Sequence, residues 1–396
     1  MSKNLRVLTY TIPKSFHGKT VEAFLRSMGY SRSVIYHLRN TGTELIPSDV
    51  PGLILKGNPP GKDLADPPGE NLANPLGKIL ANLPGKDLAG ENRSWWRKSE
   101  YSHEGIHDST FFREQFNASN PVEINKPYPG RTWLKATLHE GDELTCNILE
   151  TVTEESVVET ELPLSIVYED EDLLVIDKSV GMPIHPSIGH YDDTLANALC
   201  FYTHHVLQYD TYVNRIINRL DKDTSGLLIS AKNMHSAARL GDFVREHSIR
   251  RQYLAICQGD VRTCIERYPS TINGFDMTIS APIARKEASV IERVVDFTTG
   301  DPATTHVKPL LYDSEKDLSL IALKLETGRT HQIRVHMKHI GHPLIGDFLY
   351  NPDYRYIKRQ ALHSRKLSFK HPINGEPMSF TAALPEDMQV LFPEFN

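Results

Sequence analysis

The 396-residue chain has no stretch approaching the roughly eighteen consecutive apolar residues of a membrane-spanning helix, and its opening, MSKNLRVLTYTIPKSF, lacks an apolar core of signal-peptide length and a small-residue cleavage site. These absences predict a cytoplasmic protein. Cysteine is scarce: Cys146, Cys200, Cys257 and Cys264 are too few and too scattered for a disulfide framework, and none stands in the C-x-x-C pair of a zinc or redox site. Positive charge is in deficit as well. A formal net charge of −6 speaks against a nucleic-acid partner, because phosphate binding is chiefly electrostatic.

What is present reverses that last exclusion. Nine acidic residues and no Lys or Arg lie between Glu150 and Asp172, whereas ten Lys and Arg and five His meet only three acids between Ala322 and Lys370. The C-terminal third therefore has the composition of a basic face on an acidic molecule. A solvated surface of mixed charge is the plainer alternative.

The chain starts with two short helical patterns. Thr20 is placed to cap a helix with Val21, Phe24, Leu25 and Met28 at helical spacing, ending at Gly29. Ser31 is placed to cap a second, with Val34, Ile35 and Leu38 inward, Arg32, His37 and Arg39 outward, and an end near Gly42. Further on, RTWLKATLHEGDELTCNILE reads as two strand-like runs parted by a turn at Gly141-Asp142. Taken together, FLRSMGYSRSVIYHLRNTG and LHEGDELTCNI resemble the small RNA-binding fold first described in a ribosomal small-subunit protein, with Arg32 and Arg39 as expected RNA contacts.

Between these pieces, residues 59–90 repeat an eight-residue unit four times, as PPGKDLAD, PPGENLAN, PLGKILAN and LPGKDLAG. The period is too short for helical solenoid repeats, and Pro-Gly in three of the four copies blocks regular helix. The unit also lacks the β-branched residues of a β-solenoid, so an extended or disordered insertion is expected. The aromatics that follow, Trp95, Trp96, Phe111, Phe112 and Phe116, suit either folding back or stacking on RNA.

Residues 1–150 are thus read as a small domain interrupted at about 50–117, residues 151–162 as an acidic linker, and residues 163–396 as one larger α+β domain. In the last, strand-like runs (SIVYED, LLVIDKS, GLLISA, QYLAICQG, LSLIALKLE) alternate with helical ones (TLANALCFYTHH, HSAARLGDFVREHS), and hairpin-like connections predict a largely antiparallel mixed sheet.

The segment carrying the most chemistry is NRLDKDTSGLLISAKN, residues 218–233, where a polar run sits between apolar strands and so places ionisable side chains on a tight, rigidly flanked loop. Asp221, Asp223, Ser225 and Gly226 match the first half of a calcium loop, but the twelfth position is Lys232 and a strand follows. An aspartate that merely caps its own turn is the other plain reading.

The same segment closely resembles the H-R-L-D-x-x-T-S-G signature of the RluA-type pseudouridine synthases, with Asn218 in place of the usual His. RRQYLAICQG at 250–259, LETGRTHQIRVHMKHIGHPLIGDFLY at 325–350 and the opening LPLSIVYEDEDLLVIDKSVGMPIHPS follow the family's order, over roughly residues 162–390. The resemblance implies a cofactor-free isomerase that converts uridines of structured RNA to pseudouridine. It implies Asp221 as nucleophile, Arg334 as its basic partner, Tyr253 as the aromatic that stacks on uracil, Leu362 as an apolar pocket wall, and Arg219 as the residue that fills the space left by an everted nucleotide. Arg329, on the approach to Arg334, is an expected RNA contact. Large-subunit ribosomal RNA is the first expected substrate and transfer RNA the second; a non-catalytic RNA-binding assembly factor is the alternative. A monomer without obligatory protein partner is expected.

Around Arg334 the pattern predicts a helix with Thr330 as cap, Ile333, Met337 and Ile340 inward, Gly341 past its end and Pro343 as stop. His336 and His339 stand three apart on it, yet nothing nearby completes a zinc site, and no metal is expected.

Overall fold

The computed structural model describes residues 4–40, 53–56, 96–98, 134–287 and 289–395. The octapeptide repeat, Gly42, and the aromatics Trp95, Phe111, Phe112 and Phe116 lie outside the described residues, as do the side chains of Arg39 and Trp96.

The N-terminal unit packs two helices on a three-stranded sheet. Its strands are β1 (Leu5–Thr11), β2 (Leu53–Lys56) and β4 (Glu143–Leu149), in the order β1-β4-β2, all antiparallel. Helix α1 (Val21–Ser27) starts where the Thr20 hydroxyl accepts from Ala23 N at 3.2 Å, and α2 (Arg32–Asn40) where Ser31 Oγ accepts from Val34 N. Val21, Phe24, Leu25, Val34, Ile35 and Leu38 bury together against Leu8, Leu144 and Ile148. Met28, expected inward, stands at the end of α1 and is exposed. His37, expected outward, is half-buried. Two further departures concern strands. β1 precedes the helices where no strand was expected, and the run before Gly141 contributes only a single bridge, Thr20 to Thr137. β2 lies inside the span read as an insertion, yet it completes this sheet; β3 (Trp96–Lys98), also inside that span, pairs with the large sheet.

That large sheet runs β3-β5-β6-β7-β14-β8-β13-β12-β9, with β15 on β14. Its strands are β5 (Leu164–Glu169), β6 (Leu173–Lys178), β7 (Ser225–Ala231), β8 (Arg250–Gln258), β9 (Met277–Ser280), β12 (Thr304–Asp313), β13 (Leu318–Leu325), β14 (Leu362–Lys370) and β15 (Pro377–Thr381). A separate hairpin, β10 (Ile283–Arg285) with β11 (Arg293–Val295), stands beside it. Among the described residues only β3–β5 and β7–β14 pair in parallel, so the sheet is mixed and mostly antiparallel, as expected for the α+β class. Helices are few: α3 (Leu195–Phe201), α4 (Met234–Arg245), α5 (Gln332–His339) and the single turn α6 (Glu386–Gln389).

Two features of this fold position the site. First, β7, β14 and β8 are neighbours, so three segments far apart in sequence end side by side. β7 can lie against β14 because Gly226 takes φ +108° and a Cβ there would sit 2.4 Å from Ser364 O. Second, the acidic stretch after Glu150 is packed rather than free: Val157 joins the main core, and the Glu150 carboxylate accepts from Met234 N and from Arg215.

The N-terminal unit is bolted to the large domain. Arg6 grips Asp172 with two hydrogen bonds of 3.0 and 2.8 Å, and Tyr30 stacks on His235 with ring centroids 3.9 Å apart. Asp170, Asp172 and His371 form the one cluster with metal-ligand spacing among the described residues. Arg6, Asn233 and Ser236 occupy Asp172, while Tyr168 and His371 occupy Asp170, so the cluster is a satisfied joint.

Candidate active site

The loop between Asn218 and β7 turns tightly, with Thr224 N donating to Asp221 O at 3.0 Å. Two buried cations hold the carbonyls that follow Asp221. Lys178, at the end of β6, donates to the oxygens of Lys222 (2.8 Å), Ser179 (2.7 Å) and Met182 (3.0 Å). Burial pulls its pKa down to about 8 even with Asp223 and Asp221 nearby. From the other side Arg359 reaches the oxygens of Asp223 and Leu362, while its remaining nitrogens grip Asp387 at 2.7 and 2.8 Å. Asn218, the departure from the family signature, is buried, and its side-chain oxygen accepts from Ile229 N at 2.9 Å, tying the loop to β7.

So fixed, Asp221 meets Arg334 on α5. Arg334 Nη1 donates to Asp221 Oδ2 at 2.9 Å, while Nε and Nη2 grip Asp347 at 2.6 and 2.7 Å. The three side chains form a graded series: Asp347 is 0% exposed, Arg334 2% and Asp221 27%. Burial alone would lower the Arg334 pKa, but Asp347 and Asp221 outweigh it and hold the guanidinium above the ordinary arginine value. Asp347 in turn accepts from the backbone of Leu349 and Tyr350. It is delivered by Gly346, whose φ of +69° leaves a Cβ only 2.2 Å from Arg359 O.

Helix α5 does not start on Thr330. His331 occupies the cap in the left-handed region (φ 58°) without a capping side-chain bond, and Gln332 closes the turn instead, accepting from Thr327 and Arg329 N and donating to Thr304 O and Thr305 Oγ1. The displaced His331 lies with Nε2 4.0 Å from Asp221 and Nδ1 3.0 Å from the Tyr350 hydroxyl, and burial pushes its pKa below the usual imidazole value.

Tyr253 on β8 and Leu362 at the start of β14 are both buried, in the same apolar cluster as Leu220 and Ile333, the chain neighbours of Asp221 and Arg334. Arg219 is exposed on the loop itself. Arg329 is on the surface before α5, bound to Pro302 O and 3.5 Å from Asp301, whereas Arg32 is exposed on the N-terminal unit. The fold therefore joins Asp221 to Arg334 directly and sets Tyr253 and Leu362 in the apolar cluster that holds their chain neighbours.

Four others escaped sequence reasoning: Asp347, His331, Lys178 and Arg359. Asp347 and His331 lie inside the quoted 325–350 segment, but only burial and contact distinguish them from its other polar residues. The calcium-loop reading does not survive, since Asp221 carries Arg334 and Ser225 bonds His363 at the head of β7. His336 has both ring nitrogens engaged, by Thr305 and by Ala281 O, which leaves neither for a metal.

Residues 172–339 match the RNA pseudouridylate synthase family. A ribosomal large subunit pseudouridine synthase D from Zymomonas mobilis is 42% identical over 244 residues, which span 59% of this chain and 73% of that one. The chain belongs to the RluA-type RNA pseudouridine synthases. The Bacillus subtilis RNA pseudouridine synthase YjbO is 38% identical over 263 residues, covering 66% of this chain and 87% of its own. Among solved structures, human RNA pseudouridylate synthase domain containing 1 superposes with a TM-score of 0.43 at 28% identity, over 56% of this chain and 83% of that chain. As an RNA pseudouridine synthase the protein acts on RNA, and the part-exposed Asp221 and the buried Arg334 behind it lie within the matched residues.

Proposed function

We propose that the Asp221 carboxylate is the nucleophile that converts specific uridines of large-subunit ribosomal RNA to pseudouridine. The observation that carries this reading is that Asp221 is the one member of the Asp347–Arg334–Asp221 series with an open face. A carboxylate is a weak nucleophile in water, and it gains from a fixed orientation and a charge partner that keeps it ionised. Arg334 fixes that orientation and supplies the opposite charge, because its other nitrogens are locked on Asp347 and its remaining one points at Asp221.

In the proposed reaction a carboxylate oxygen bonds to the uridine, at the sugar C1′ or at the base. The bond from N1 to C1′ breaks, the uracil turns, C5 bonds to C1′, and the carboxylate departs unchanged. The proton on C5 leaves and N1 gains one, so atoms and electrons balance without oxidant, hydrolysis or metal. The nucleotide is turned out of its helix, at about a few kcal/mol, with Arg219 entering the vacated space. Tyr253 stacks on the uracil and its hydroxyl assists the C5 proton; Leu362 walls the pocket. Arg329, Arg32 and Arg39 contact phosphates. Ribosomal RNA as substrate is supported by the names of the relatives from Zymomonas mobilis and Yersinia pestis, each a ribosomal large subunit pseudouridine synthase D.

The test is a carbodiimide primer-stop map of RNA from cells lacking the gene. At least one stop in large-subunit ribosomal RNA is expected to disappear, and to return with the wild-type gene but not with Asp221→Asn. Loss confined to transfer RNA would move the substrate, and an unchanged map throughout would overturn the proposal.

A further inference from the structure

Phe348 follows Asp347 directly, yet the two have opposite surroundings. Asp347 is fully buried, whereas Phe348 is 48% exposed. Exposed single aromatics are ordinary on protein surfaces and exposure alone carries nothing. What sets Phe348 apart is its contact. Its ring centroid lies 5.4 Å from the Arg334 guanidinium carbon, and that same guanidinium holds Asp221 at 2.9 Å. An aromatic face open to solvent is therefore one residue removed from the open carboxylate. Tyr350 also lies on Arg334, at 5.1 Å, and the exposed Lys338 lies 5.3 Å from the Tyr350 ring, so a second aromatic and a free cation stand close by. An open aromatic ring beside the reacting group is a surface on which an unpaired base can stack.

We infer that Phe348 is the stacking platform for the nucleotide beside the target uridine, a specificity-determining position at the rim of the site. The inference rests on the active site proposed above. Tyr253, 4% exposed, suits a base drawn into the pocket; Phe348 at the rim meets what stays outside it. The target uridine's neighbour remains at the rim because its backbone is only one nucleotide away.

The experiment uses the full chain and a large-subunit ribosomal RNA fragment carrying a mapped target uridine, with 2-aminopurine replacing the base on either side in turn. Single-turnover rates are measured against enzyme concentration for wild type, Phe348→Ala, Phe348→Leu and Phe348→Trp. Loss of one stacked base is expected to raise the half-saturating concentration roughly 5- to 150-fold for Ala and Leu, with the plateau rate within about twofold of wild type. Trp is expected to restore binding, and quenching of 2-aminopurine at one flanking position is expected to vanish with Ala and Leu. Leu keeps the apolar volume without a π-face, so it decides the matter where Ala fails to fold. Unchanged half-saturation in Leu, or quenching that persists in it, overturns the inference. Wild-type enzyme that forms no pseudouridine in this RNA would count instead against the proposed function.

Discussion

Two arginines in this molecule are held in nearly the same way and serve opposite ends. Arg6 is gripped through two nitrogens by the buried Asp172 and reaches the more exposed Glu171 with a third, at 2.5 Å. Arg334 is gripped through two nitrogens by the buried Asp347 and reaches the more exposed Asp221. The first joins the N-terminal unit to the large domain; the second backs the carboxylate of the proposed reaction. Their surroundings differ. Asp172 is saturated by Asn233 and Ser236, and the joint is sealed by the stacking of Tyr30 on His235. Asp221 accepts one short bond and has room left. The outer carboxylates of both clamps stay open, Glu171 at 34% and Asp221 at 27% side-chain exposure, so what separates fastener from site is the setting: Glu171 lies at the seam between two units, whereas the chain neighbours of Asp221 and Arg334 sit in the apolar cluster that also holds Tyr253 and Leu362.

The largest effect expected from breaking this parallel is at Asp221. Asp221→Asn leaves Arg334 paired with Asp347, so the melting temperature should stay near wild type, while pseudouridine formation falls by at least about a thousandfold in a single-turnover assay. Asp347→Ala should do what Asp221→Asn does not. It strips a buried guanidinium of its bidentate partner, and urea unfolding should show a loss of about 3–5 kcal/mol along with the activity. Adding Arg334→Met to that variant should recover stability and leave activity absent.

At the joint, Arg6→Ala leaves Asp172 with two neutral donors, and the cost should be smaller, about 1–3 kcal/mol. Hydrogen exchange should quicken first in α1 and α2, with the plateau rate on a short RNA unchanged; equal loosening of the catalytic loop would show that the two clamps are coupled. The joint also has a pH dependence. Burial pushes His235 down to about 4, so the folded protein keeps it neutral while the unfolded chain takes up a proton below about pH 6.5. Its contribution is complete above that value and is lost as pH falls toward 4, by at most ~1.4 kcal/mol per pH unit. His336, likewise pushed to about 4, adds to the slope, so His235→Phe should flatten urea-unfolding stability against pH without levelling it. The smallest effect is at the exposed Arg32: Arg32→Ala should weaken RNA binding modestly and reduce its salt slope by about one, measured by filter binding.

Much of the fold was legible because its local signals agree with its tertiary ones. The runs SIVYED, LLVIDKS, GLLISA, QYLAICQG and LSLIALKLE became β5 to β8 and β13, and Thr20 and Ser31 cap the helices they precede. β1 was missed because its burial alternates poorly, with only Leu8 buried, so no period marks it. The start of α5 was misplaced because Thr330 has the composition of a cap, whereas Gln332, the first helical residue, ties the preceding turn by accepting from Arg329 N. In the proposed site, Asp221, Arg334, Tyr253 and Leu362 were named through the motifs that carry them. Lys178, Arg359 and Asp347 were not, since a charged residue in a strand end or loop reads as solvated until its burial is seen.

By itself the sequence determined the family, the kinds of side chain on the loop at 218–226, and the places along the chain of five strands of the large sheet, because these depend on residue types and short-range spacing. Only the tertiary structure decided that Arg334 turns two nitrogens to Asp347 and one to Asp221, that two buried cations hold the loop by its carbonyls, and that Phe348 faces out while its neighbour faces in. Those outcomes depend on which strands become neighbours and on how much water each charge keeps, and both are fixed by tertiary contacts between residues 13 to 136 positions apart.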